Sequence, residues 1–245
     1  MNNKALLIAA LVIAAVAAAG IYGARSFLAP PPTVLGRASP SPDAAPELPP
    51  NLPPLEESDA FVREITASLS ADAALHEWLK LESLIPRLAS AMIQITDGQV
   101  PRDAFSKFGP RGKYRVLRKD GKLVPDPASY ARYNAFAAMV ASVDAVAAAR
   151  LFEKLLPLFD AAQRGLGEAP GARDAFLAAA RPVLAAPVPE GDVVLRDGKK
   201  GISWVYADEK LEGLSPVQKQ LLRMGPKNQA IVQAKLTAVV LALGR

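Results

Sequence analysis

Ser215-Pro-Val-Gln-Lys-Gln-Leu-Leu-Arg-Met-Gly-Pro-Lys227 decides the fold class of this chain. A Ser followed three residues later by Gln has the form of a capping box, in which each side chain satisfies a backbone N–H at a helix start. Pro216 fits the first helical position, where no N–H is needed. Gly225-Pro226 then stops the helix, because Gly tolerates positive φ and Pro cannot continue a ladder. A last helix is predicted from Lys227 to about Ala242, with Ile231, Leu236, Val239 and Val240 filling the core. Two helices joined by two residues predict a helical hairpin.

The same rhythm runs through the preceding residues. Ser58-Asp59 precedes an apolar stripe of Phe61, Val62, Ile65 and Leu69 at helical spacing. A short helix is expected over 73–79. Leu84, Leu88, Met92 and Ile95 form a further stripe that ends near Asp97-Gly98. Asp126-Pro127 is an N-cap with Pro behind it, predicted to open one helix carrying Tyr130, Tyr133, Phe136 and Val140. Helices are also predicted over about 144–164, with Pro157 as a kink, and over 171–184. Two segments flank Gly-containing turns, 114–124 around Lys119-Asp120-Gly121 and 193–206 around Asp197-Gly198-Lys199-Lys200-Gly201, and read as β-hairpins. Isolated hairpins are marginal in water, so these two must pack on helices or pair into one sheet.

Ahead of this lies a run of twenty uncharged residues, Ala5 to Ala24, flanked by Lys4 and Arg25. About 20 apolar residues span the roughly 30 Å of bilayer hydrocarbon. A cleaved secretory signal is the competing reading, with Ala15-Val16-Ala17 and Ala17-Ala18-Ala19 as candidate sites. The run continues through Ile21 and Tyr22 and is followed by a tether, which favours an uncleaved anchor. Pro30 to Pro54 hold 10 of the chain's 22 prolines. Pro lacks an N–H and fixes φ, so this segment reads as an extended spacer reaching at most about 75 Å. The expected architecture is therefore mainly α: an N-terminal transmembrane helix in 1–25, a Pro-rich disordered linker in 26–54, and a compact helical domain with two short β-hairpins in 55–245. The positive-inside count is nearly tied between Lys4 and Arg25. A short amino tail left in the cytoplasm predicts an inner-membrane protein with a periplasmic domain.

Chemistry-bearing motifs are scarce. The chain has no Cys, which excludes disulfides and thiolate chemistry, and one His, which excludes zinc sites needing several His ligands. His76-Glu77 starts like a zinc-protease helix, but Lys80 stands where the second His is required. Lys107 to Tyr114 fails the phosphate-loop pattern at both of those residues. No cofactor, metal or catalytic set is expected. Residues 55–245 carry 26 basic and 22 acidic side chains, mildly basic and permissive of an anionic partner. A nucleic-acid reading of the terminal hairpin, with Lys227, Asn228, Gln229, Gln233 and Lys235 facing a groove, competes with a plain core hairpin and has a weak charge footprint.

Three blocks give the chain a resemblance to a family. They are 52–63 (LPPLEESDAFVR), 126–134 (DPASYARYN), and Tyr206-Ala-Asp with 211–228 (LEGLSPVQKQLLRMGPKN). They resemble the bacterial domain of unknown function 3014 family, with Asn134 and Lys227 where that pattern often has Asp and Glu. The resemblance implies an anchored, mostly helical protein and no activity, substrate or cofactor.

The expected function is thus a non-catalytic module of the cell envelope, tethered to the membrane through residues 5–24 and binding a protein or an envelope polymer. A hydrolase or transferase using carboxylates, Ser or Lys is the alternative class. The candidate surface lies where the second and third blocks meet: Tyr130, Arg132, Tyr133, Arg223, Met224 and Pro226. Aromatic rings and guanidinium groups most often anchor interfaces. The plainer reading makes Tyr130 and Tyr133 core residues and Arg223 a partner of its own helix's last carbonyls.

Overall fold

The structure is a computed structural model that describes residues 48–49, 51–67, 73–105, 108–110, 112–169, 171–198 and 203–244. The predicted anchor at 5–24 and the tether up to residue 47 lie outside the described residues. No single helix among the described residues is long and apolar enough to cross a membrane.

After a 3₁₀ turn at Leu55–Glu57, the helices are α1 (Ser58–Ala67), α2 (Ala73–Leu79), α3 (Leu84–Thr96) and the short α4 (Arg102–Phe105). Strands β1 (Val116–Lys119) and β2 (Lys122–Pro125) follow. Then come α5 (Pro127–Ala131), α6 (Asn134–Ala141), α7 (Ala145–Gly165) and α8 (Ala172–Leu184). Strands β3 (Leu195–Asp197) and β4 (Trp204–Tyr206), the single turn α9 (Glu209–Glu212), α10 (Pro216–Met224) and α11 (Pro226–Leu243) complete the order.

The main core is helical. α11 packs on α6, α7 and α8, and α3 packs on α7 and α8. Phe152 packs in tilted contact with Phe159 and Phe176, with ring centroids 5.2 and 4.8 Å apart. The predicted stripe of Leu84, Leu88, Met92 and Ile95 is buried; in the terminal helix Leu236 and Val239 are buried as expected, Ile231 and Val240 are half-buried, and Val232 takes the core position instead of Ile231. Leu48 and Leu52 also pack on this core, so the packed chain begins before Leu55.

The two hairpins pair through Leu123 and Leu195 into one antiparallel sheet of order β1-β2-β3-β4. One face, carrying Val116, Leu123, Leu195 and Tyr206, closes a second small core over Leu211, Leu214 and Leu222. This burial answers the marginal stability of each hairpin alone.

Several local expectations are met in detail. Ser215 Oγ accepts from Gln218 N at 3.4 Å and Gln218 Oε1 accepts from Ser215 N at 3.2 Å, the reciprocal capping box. Asp126 caps α5 through Ala128 N at 2.8 Å, with Pro127 at the first position.

One expectation is corrected. The helix predicted to carry Tyr130, Tyr133, Phe136 and Val140 is broken at Arg132-Tyr133 into α5 and α6. The Tyr130 carbonyl, which an unbroken helix would offer to Asn134 N, instead accepts from Tyr133 N at 3.0 Å and from Asn228 Nδ2 at 3.0 Å. Asp59 stands in the first turn of α1 as expected, and its carboxylate also caps a second helix, accepting from Ser83 N and Leu84 N at 2.7 and 2.8 Å at the head of α3. Arg63 locks the same corner by donating to the Leu79 and Leu81 carbonyls.

Candidate functional site

The second and third blocks meet in space. α5 lies against α10, and the α10–α11 joint seats on the Tyr130 ring. Gly225 has φ +79°, and a β-carbon there would stand 2.5 Å from Tyr130 Cγ, so the close approach requires glycine. Asn228, 3% exposed, fastens the same corner. Its Nδ2 donates to the Tyr130 carbonyl at 3.0 Å, Asn134 Oδ1 at 3.1 Å and the Met224 carbonyl at 3.0 Å.

The four tyrosines of residues 55–245 converge here. Tyr114 comes from the approach to β1, Tyr130 from α5, Tyr133 from the α5–α6 joint and Tyr206 from β4. Arg132 lies between two of them, its guanidinium carbon 5.6 Å from the Tyr114 ring centre and 5.5 Å from that of Tyr133. A cation over an aromatic face is attracted by the ring quadrupole. Arg132 also donates to the Ser129 carbonyl at 3.0 Å and the Gly112 carbonyl at 2.8 Å, which ties the approach to β1 onto α5. Gln220 Nε2 donates to the Tyr133 hydroxyl at 3.2 Å. Arg223 is exposed and makes no hydrogen bond or ion pair among the described residues, so it is not spent on its own helix end.

The electrostatics follow from burial. Desolvation pushes the Tyr130 phenol up to about 12, helped by the Asp192 carboxylate. Burial raises Tyr114 and Tyr206 further, and the Arg223 cation pulls against it at both. Tyr133 is raised by burial too, opposed by the Gln220 hydrogen bond and by Arg132 and Arg223. All four phenols are therefore neutral hydrogen-bonding groups near pH 7, not tyrosinate bases or nucleophiles.

Beside this cluster opens a groove of about 350 Å³. Its walls are the end of β2 (Val124, Pro125), α5 (Pro127, Tyr130, Ala131), Asn134, residues 191–193, and the α10–α11 joint from Met224 to Asn228. Three prolines give it a stiff rim that lacks N–H donors. Lys227 is exposed on that rim. Of the residues expected from sequence, Tyr130, Met224 and Pro226 line the groove. Arg132 and Tyr133 stand in the tyrosine cluster, and Arg223 acts on it electrostatically. Tyr133, 1% exposed, is buried in the cluster and does not line the groove, and Met224 contributes to the wall as a buried side chain. Tyr114 and Tyr206, which the sequence places on the hairpins and not among the candidate site residues, are brought to the site by the fold.

The polar residues of the terminal helix are committed inward. Gln229 Nε2 donates to the Ala186 and Pro187 carbonyls, Gln233 Nε2 to the Val183 and Ala186 carbonyls, and Lys235 to the Val143 carbonyl. Of the five residues considered for a nucleic-acid groove, Lys227 alone is exposed. No group of three or more His, Cys, Asp or Glu side chains among the described residues is arranged to hold a metal ion.

No curated protein and no solved structure matches the chain. A family match covers residues 84–239, from the start of α3 almost to the end of α11, and so contains the groove, the tyrosine cluster and the sheet. The chain belongs to the family described as protein of unknown function (DUF3014).

Proposed function

We propose that this chain is a membrane-tethered protein of the cell envelope whose folded part is a non-catalytic binding module. Residues 5–24 anchor it in the inner membrane, the Pro-rich segment spaces it from the bilayer, and the domain works on the periplasmic side. The groove between α5 and the α10–α11 joint takes a segment of a protein or envelope polymer.

The observation that carries this reading is the convergence of four tyrosines and two arginines beside a preformed groove. Tyr offers large contact area at a low entropic cost, Arg offers several donors in a planar fork, and both are enriched in binding hot spots. The neutral phenols are suited to hydrogen bonding and poorly suited to nucleophilic attack.

Crosslinking in intact cells, followed by mass spectrometry of what the chain captures, tests it. Arg223→Ala should lose captured partners with an unchanged melting curve, because the side chain is exposed and carries no structural bond among the described residues. Capture that is unaffected by both Arg223→Ala and Lys227→Ala would remove the groove from the binding surface.

A further inference from the structure

α10 delivers a free cation to the tyrosine cluster. Arg223 follows Gln220 by three residues and Lys219 by four, so the three share one helix face. On that face Gln220 Nε2 donates to the Tyr133 hydroxyl at 3.2 Å, and the Lys219 carbonyl accepts from the Tyr206 hydroxyl at 3.4 Å. Two residues beyond Arg223, Gly225 packs on Tyr130. Tyr114 shares the Arg132 guanidinium with Tyr133. Arg223 thus stands over the rings from three elements, and its charge works against the burial shift of the Tyr114, Tyr133 and Tyr206 phenols.

The cluster has donors to spare and no anion of its own. The Tyr114 and Tyr130 hydroxyls and the Arg223 guanidinium make no hydrogen bond among the described residues. Both tyrosines are half-buried, and Tyr130 lines the groove. The two carboxylates that act on these phenols are already engaged. Asp192, which acts on Tyr130, is held by Lys119 at 2.7 Å. Glu212, which acts on Tyr206, is held by Lys219 at 3.0 Å and by the Tyr206 N–H at 2.8 Å. Arg132 gives its donors to the Ser129 and Gly112 carbonyls. What stays open is one unpaired guanidinium with neutral phenol donors around it. A planar fork carrying a single charge matches the two oxygens of a carboxylate, whereas a phosphate dianion would be only half neutralised.

We propose that Arg223 and the hydroxyls of Tyr114 and Tyr130 form the receptor for a carboxylate carried by the segment that occupies the groove. The inference rests on the binding reading of the groove and adds the chemistry that the groove selects. A segment with a neutral group at this point would leave the guanidinium unpaired, so the site discriminates by charge as well as by shape.

The test uses the full chain in detergent micelles, with carbon-13 at the Cζ atom of every tyrosine and sodium propionate as the probe at constant ionic strength. Tyr114→Phe and Tyr130→Phe assign the two resonances by deleting them. The expected result is a saturable shift of both resonances with propionate and none with propionamide, its neutral isostere. Arg223→Gln should raise the half-saturation concentration at least about tenfold, the loss expected for a charge-assisted contact. Arg223→Lys should recover only part of it, because an ammonium is a point charge without the fork. Lys80→Gln, at an exposed pair with Glu77, should leave the titration unchanged. Shifts that survive Arg223→Gln, no saturable response to propionate, or tighter binding of inorganic phosphate than of propionate would each overturn the proposal. Failure of the underlying binding reading has a different signature: propionate saturates normally while crosslinking in cells captures no partner. Capture that depends on Arg223 with no response to propionate would keep the groove and overturn the carboxylate.

Discussion

Gly225 packs so closely on the side chain of Tyr130 that a β-carbon would come within 2.5 Å of Cγ and 2.9 Å of Cβ. This contact joins α5 to the start of α11, and both residues line the groove. Gly225→Ala adds a clash to a φ of +79° that L side chains rarely adopt, and should cost about 2–4 kcal/mol. Gly165→Ala, at a position with open space, should be neutral or slightly stabilising. Thermal melts of the two variants compare them directly; equal stabilities would remove the contact from the account.

Asn228 tests the same corner through hydrogen bonding. Its amide donates to three acceptors, two of them carbonyls that have lost their helical partners at α5 and α10. Asn228→Asp replaces the donor by a carboxylate facing those oxygens, and should destabilise at least as much as Asn228→Ala, by about 2–3 kcal/mol. Denaturant midpoints measure both, and an Asp variant as stable as the wild type would contradict the geometry.

The tyrosine cluster predicts a pH dependence of definite sign. Each phenol has a higher pKa folded than unfolded, so above pH 10 the unfolded chain releases protons that the folded chain retains. Stability is then fully present below about pH 10 and is lost as pH rises toward the folded value, about 12 for Tyr130 and higher for Tyr114 and Tyr206. Tyrosinate absorbance from these four residues should appear together with loss of the helical circular dichroism. A titration complete near pH 10 with the helices intact would refute the burial argument.

Asp59→Ala should lower stability by about 1–2 kcal/mol, because it removes the cap of α3 and the anchor of Arg63 together. Amide exchange should quicken first at Ser83 and Leu84, whose N–H groups the carboxylate holds. Uniform exchange rates in the variant would argue against a capping role.

Most of the helical frame was legible because it is written locally. The Ser215–Gln218 box, Asp126-Pro127 and the stripe of Leu84, Leu88, Met92 and Ile95 need only neighbouring residues to act. What escaped reading depends on distant partners. The break after α5 exists because Asn228 takes the Tyr130 carbonyl from 98 positions away. Asp59 caps a helix that starts 25 residues later. Tyr114 and Tyr206 join the site because β2 pairs with β3 across the whole α5–α8 segment. The expectation that both hairpins share one sheet was open in the sequence, and it held the only signal that would have drawn those two rings to Arg132.

A photo-crosslinking residue placed at Lys227, on the rim of the groove, tests the central claim most directly when compared with the same residue at exposed Ala238. The two positions share α11 and lie about 16 Å apart along its axis. In intact cells the account predicts one discrete, reproducible adduct from position 227 and none from 238. Adducts from both positions alike, or none from 227 while the chain is folded and membrane-associated, would contradict a binding site in this groove.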